Sequence, residues 1–312
     1  MRWASVVVIV MCSGATFADD LPLDLGDIEE LTEAQAKQLA VRHPSWKLNL
    51  NGLKSISDSV ADALGDAKGS LSLNGLTAIS DRAAKSLGRH SGSVLALNGL
   101  TTISDSAADS LSKQRGYGLS LDGVTTLSDK AAKSLATYEG RVLELDGLTT
   151  LPSSAAEALA NRNGTLSMES LAELSEDAAE ALAKHKGDLH LNGLITRSGE
   201  AAEALSKHED RMFLDGLTTL SDQGAQAFAK HATMLSLNGL KAINDLQARA
   251  FGQHRGDLRL DGVLTLSDAA ARSLSHHKGP LRLNGLTYLS RNAVTALRSN
   301  RNISWWVYPH AR

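Results

Sequence analysis

Cysteine is almost absent from this chain: its 312 residues include one, Cys12. That excludes a disulfide framework and any zinc site built on several thiolates. Aromatic residues are scarce at 4%, so a core has to come from aliphatic side chains, for which a 42% hydrophobic content is enough. Neither sign of charge dominates. The 32 Lys and Arg against 35 Asp and Glu leave a net charge of -3, which argues against a general nucleic-acid binder. No later stretch has the apolar length of a membrane span. Also missing are an H-E-x-x-H motif, a Gly-rich phosphate loop and any insertion long enough to hold a nucleophile with its base. The sequence therefore offers neither an enzyme site nor a cofactor site.

The first residues read as an export signal. Met1 and Arg2 form a short positive region, Trp3 to Met11 are mostly apolar, and Thr16-Phe17-Ala18 places small residues before a cut after Ala18. Acylation at Cys12 fits less well, because Met11 is bulky where such sites want a small residue. The expected domains are a signal peptide over 1–18 and one repeat domain over 19–312, secreted or periplasmic. After cleavage no cysteine is left, which also excludes a thioester-forming ligase.

What fills the rest is a repeat. "LSLNGLTAISDRAAKSLGRHSGSV" returns as "LALNGLTTISDSAADSLSKQRGYG" and "LSLDGVTTLSDKAAKSLATYEGRV" without a gap. The first Leu of each unit, or its substitute, falls at positions 48, 71, 95, 119, 143, 166, 189, 212, 235, 258 and 281, so the spacing is 23 or 24 residues. A degenerate copy begins at Leu23, which makes twelve units. The expected organisation is a capping unit over 19–47, regular units over 48–302 and a cap over 303–312 carrying Trp305, Trp306 and Tyr308.

Inside a unit the period changes. L-x-L followed by Asn or Asp and Gly is a short alternating run closed by a turn, where Gly supplies the positive φ such turns often use. The following I-S-D-x-A-A-x-x-L sets Ser as a helix N-cap, Asp in the first turn, and Ala and Leu on one face. Gly69, Gly92, Gly187, Gly256 and Gly279 fit helix stops. Each unit is thus one strand, one turn and one short helix, too small to bury its own faces and stable only when stacked.

This spacing resembles the leucine-rich repeat, closest to its cysteine-containing subtype, with I-S-D where that subtype has Ile-Thr-Asp. The likeness spans about residues 23–307. It implies an α/β solenoid with parallel strands on a concave, macromolecule-binding face and short helices on the convex face. The position held by Cys or Asn in the family is Leu53, Leu76, Leu100, Val124 and their equivalents here. The family's internal side-chain ladder is therefore expected to be missing, and no catalytic residue carries over.

Three rows of polar residues stand out. Asn51, Asn74, Asn98, Asp122, Asp146, Asn192, Asp215, Asn238, Asp261 and Asn284 precede the turn Gly, with Glu169 in the atypical unit. They are expected to satisfy turn backbone groups. Calcium between Asp122 and Asp146 is the sharper alternative. His90, His185, His208, His231, His254 and His277 each follow the last helical Leu or Phe by three residues. They are expected at helix C-termini, about 8 to 10 Å apart as packed helices are. A metal-dependent hydrolase using this row is the enzyme alternative.

The third row lies between the paired leucines and should face solvent on the concave side. It reads Asn49, Ser72, Ala96, Ser120, Glu144, Ser167, His190, Phe213, Ser236, Arg259, Arg282. Its second half supplies the candidate binding residues His190, Phe213, Arg259 and Arg282. Arg259 and Arg282 are expected to bridge an anionic group. Charge also separates along the chain, with seven acids and no base from Asp19 to Glu33 and nine bases against three acids from Gln253 to Arg312. The sequence thus reads as a monomeric binding scaffold for a protein or an acidic polysaccharide, with no metal, no nucleic acid and no membrane span. Self-association into a surface matrix is the structural alternative.

Overall fold

The structure is a computed structural model that describes residues 25–41, 47–195 and 199–305. Among these, twelve helices alternate with twelve strands, from α1 (Glu33–Val41) and β1 (Lys47–Asn49) to α12 (Arg291–Arg298) and β12 (Ile303–Trp305). The strands form one parallel sheet in sequence order, β1 beside β2 (Ser70–Ser72) and so on to β12. The register follows the repeat: Leu48 opposes Leu71, Leu166 opposes Leu189 and Leu258 opposes Leu281. The proposed cleavage site at Ala18, Cys12, Trp306 and Tyr308 lie outside the described residues.

The core is one continuous layer of Leu and Ala between sheet and helices. The helices are short because each starts at its Ser and ends at the last core Leu. In α3 (Asp81–Leu87) the Ser80 hydroxyl accepts from the Ala83 N–H at 2.9 Å and donates to Asp58 of the preceding helix at 2.5 Å. Ser104 does the same toward Asp81 and Ser128 toward Asp105, at 2.6 and 2.5 Å. One hydroxyl thus caps its own helix and ties it to the previous one, which gives S-D a reason to recur as a pair.

Strands at about 4.8 Å and helices at about 8 to 10 Å cannot stack without curving, so the sheet lines the inner face. The side chains between the layers record the change of radius. Rings of His185, His208, His231, His254 and His277 follow one another at 6.3, 6.3, 6.4 and 5.6 Å, between the strand and helix spacings.

The glycines act differently from expectation. Among the described residues only Gly164 and Gly187 have positive φ, 91° and 132°. At the Asx-Gly turns the constraint is close approach between units: a Cβ on Gly75 would lie 2.0 Å from the Asn51 carbonyl oxygen, and one on Gly216 1.8 Å from that of Asn192. Gly92, Gly256 and Gly279 are not helix stops either. The helices have already ended, and these residues press against the backbone of the previous unit.

At the C-terminal end β12 covers the last edge, with Ile303 buried and Trp305 packed on the core. A chain ending at Pro280 removes that cover and exposes apolar core, so it is expected to melt well below the full chain in a thermal scan. Equal melting would disprove the capping role of β12.

Candidate binding face and the buried ladders

The Asx row is not confined to its own turns. The Asn51 Oδ1 accepts from the Asn74 backbone N–H at 2.9 Å, Asn74 from Asn98 at 3.0 Å, and Asp215 from Asn238 at 2.9 Å. Each side chain holds the next unit. An internal ladder is therefore present, contrary to the expectation drawn from the leucines, and is carried two residues earlier. The two carboxylates of the calcium alternative, Asp122 and Asp146, serve the ladder. Asp122 accepts from the Asp146 N–H, the Ser120 hydroxyl and the Asn98 amide, while Asp146 accepts from Ser167 and from the Glu169 N–H. Burial pushes the Asp122 carboxyl above its ordinary range.

The ladder is interrupted once. Glu169 receives the rung from Asp146 at 3.2 Å, but its longer side chain takes the Asn192 amide at 2.9 Å instead of the Asn192 backbone N–H. Nearby Pro152 replaces the capping Ser and makes no side-chain cap. Arg197, which stands where other units place Ile or Leu, lies outside the described residues. Amide exchange across 166–195 should be faster than in flanking units. Uniform protection would refute that reading.

The histidines form a second ladder, and a deeper one than expected. All six are at most 2% exposed. Their Nε2–H groups donate across units where geometry allows: His90 to Gly69 O at 3.0 Å and His185 to Gly164 O at 2.7 Å. His277 faces Phe251 O and Gly256 O, both at 3.1 Å. Among the described residues His208 and His254 find no hydrogen-bond partner for either ring nitrogen. Gln114, Tyr138, Arg162 and Asn300 occupy the same position in other units and make the same kind of bond, as with Tyr138 to Gly116 O and Arg162 to Gly140 O. Burial pulls the Arg162 guanidinium down to about 10, so it is still cationic at neutral pH.

Burial also lowers His90, His185, His208, His231 and His254, the last to about 4. A metal cannot use this row. The rings are stacked with interplanar angles of 5 to 22°, while imidazole lone pairs lie in the ring plane and so do not converge on one ion.

On the concave face the row between the leucines divides. Ser72, Ser120, Ser167 and Ser236 are buried rather than solvent-facing, and their hydroxyls serve the Asx ladder, as Ser72 does toward Asn51 at 2.8 Å. His190 and Phe213 are half-buried, register partners, and stacked with ring centroids 4.1 Å apart. Burial keeps His190 below its ordinary pKa against the pull of Glu169 and Asp188. Ser236 separates this pair from Arg259, which is in register with Arg282 as expected.

A neighbouring row, missed in the sequence, changes the meaning of Arg259. The residue before the first Leu lies two positions away on the same face: Asp188, Arg211, Met234 and Asp257. Arg211 holds Asp188 with two parallel hydrogen bonds, and Asp257 sits 3.7 Å from Arg259. Of the two guanidinium groups expected to bridge an anion, Arg259 is half-buried and paired with Asp257, while Arg282 is exposed with no ion pair among the described residues. Strict alternation along each strand was the signal that could have found Asp257.

No family model and no curated protein matches the chain. Among solved structures, an internalin of Listeria monocytogenes is similar over 90% of this chain and 90% of its own, with 12% identity and a TM-score of 0.45. The Toll–Spatzle complex of Drosophila is similar over 77% of this chain and 41% of that one, with 15% identity and a TM-score of 0.42. Twelve parallel strands in sequence order, each returning through one short helix, make this chain an α/β solenoid, the architecture that the leucine-rich-repeat resemblance implies.

Proposed function

We propose that the chain is an exported, monomeric binding scaffold that recognises a macromolecule, foremost a protein, through the C-terminal half of its concave face. The observation that carries this reading is the change along one row. Up to Ser167 the longer side chains on the face are few and its serines are spent on the ladder. From His190 onward the face presents a stacked imidazole–phenyl pair beside the exposed Arg211. Aromatic and Arg side chains are among those enriched in the energetic centres of protein interfaces. The Asp188–Arg211 pair sets a charged border on one side, and Arg259 and Arg282 extend the face toward the C-terminus. Export rests on the reading of Met1 to Ala18, and the absence of catalysis on the missing insertions and motifs.

The test is affinity capture from the extracellular fraction of the source cells with the native chain and with His190→Ser/Phe213→Ser. Loss of the captured partner at an unchanged urea midpoint supports the proposal. Undiminished capture overturns it.

A further inference from the structure

We infer that a second site, separate from the aromatic face, binds an anionic polysaccharide along the rung formed by Arg255, Lys278 and Arg301. Each of these cations directly follows a member of the buried ladder: His254, His277 and Asn300. That position fixes their spacing. The His254 and His277 rings are 5.6 Å apart, and the Asn300 amide donates to the His277 carbonyl at 2.6 Å, so the residues that follow emerge side by side in three consecutive units.

All three are exposed, and none forms an ion pair among the described residues. The acids of these units are engaged elsewhere. Asp257 faces Arg259, Asp261 accepts from Asn284, and Asp268 accepts from Ser290 and Asn292. Arg282 adds a fourth exposed cation about one strand length beyond Lys278. In the earlier units the same rung position is mixed, as in Arg115, Glu139, Asn163, Lys186, Glu209 and Ala232, so like charges are adjacent only at this end.

Three unpaired like charges in consecutive units, beside rings 5.6 Å apart, repel, and a ligand with one anion per repeat relieves that repulsion. A chain of carboxylated or sulfated sugars has such a repeat, one pyranose residue long. An extended peptide repeats its same-face carboxylates at about 6.6 Å and drifts out of step. The surroundings favour the sugar as well. Among the described residues Gln253, His276, Pro280 and Asn302 flank the rung as exposed residues, and none of them is the large aromatic or aliphatic anchor a protein interface needs.

Fluorescence polarisation with a labelled galacturonate octamer and a labelled heparin octasaccharide tests this on the full chain. At low salt at least one is expected to bind, with affinity falling steeply as salt is raised. R255Q/K278Q/R301Q should weaken it at least tenfold at an unchanged urea midpoint. Phe213→Ser should leave it intact, so failure here and failure of the aromatic face are distinguishable. The inference is overturned if neither sugar binds, or if the triple variant binds as the native chain does. It is equally overturned if polyglutamate, a single-stranded oligonucleotide or anionic vesicles bind at least as tightly as the better sugar.

Discussion

Acidification from pH 7 to pH 5 should unfold the C-terminal half of the solenoid long before the N-terminal half. The cause is the ladder of stacked imidazoles. In the unfolded chain a histidine titrates near 6.5. Burial holds His185, His208, His231 and His254 below that value, and the two neighbours of His254 lower it further, to about 4. Above pH 6.5 neither state binds the proton and the ladder carries no pH dependence. As pH falls below 6.5 the unfolded chain takes up protons that the folded chain refuses, so stability is lost until the folded pKa is reached.

For His254 alone that interval corresponds to roughly 3 kcal/mol. The charged groups around the row do not reverse the direction. Asp210 raises His185 and His208, while Arg162 opposes it at His185. Any second proton would sit about one ring spacing from the first. The N-terminal half has one histidine in the ladder, His90, and its half-buried Asp122 and Glu144 are raised by partial burial, so mild acid favours their folded forms. Urea midpoints at pH 7.5, 6 and 5 should therefore fall steeply for the native chain. For His208→Gln/His254→Gln they should fall much less, since Gln114 shows that glutamine is accepted at this position. Parallel pH profiles for the two proteins would refute the assignment.

The second large effect concerns Gly216. Replacement by Val places a Cβ 1.8 Å from the Asn192 carbonyl oxygen, which belongs to backbone and cannot step aside without parting two units. The Asn192–Asp215 rung lies at the same point. The loss should be on the order of 4 kcal/mol, the range of severe core disruption. Gly118→Ala is the internal control. A Cβ there first meets Val94 at 3.4 Å and Val142 at 3.8 Å, both side chains, so stability should stay level or rise by about 0.5 kcal/mol. Similar denaturation midpoints for G216V and the native chain would contradict the close packing of units.

These two effects mark what the sequence made legible. Register, strand order and the capping serines follow from a strict spacing and from residue types with one physical use, so they were readable. The Asx ladder was not, because attention fell on Leu53 and its equivalents, where the family keeps its polar group, rather than on the neighbouring residues that can reach across units. For the histidines the sequence shows the position but not the radius at which it lies, and the radius decides that imidazoles stack instead of spreading with the helices. Gln114, Tyr138, Arg162 and Asn300 were overlooked because they share an offset with the histidines and not a chemistry. On the concave row the register of His190 with Phe213 was legible, whereas Asp257 was missed because alternation brings two positions per strand to that face.

The most direct measurement of the binding role is hydroxyl-radical footprinting of the native chain, alone and with its captured partner. Protection is expected at Phe213 and His190, with Leu246 and Tyr288 as reactive as in the free protein. Protection confined to the helical face, with Phe213 unchanged, would contradict the proposal that this solenoid reads its partner through the concave sheet.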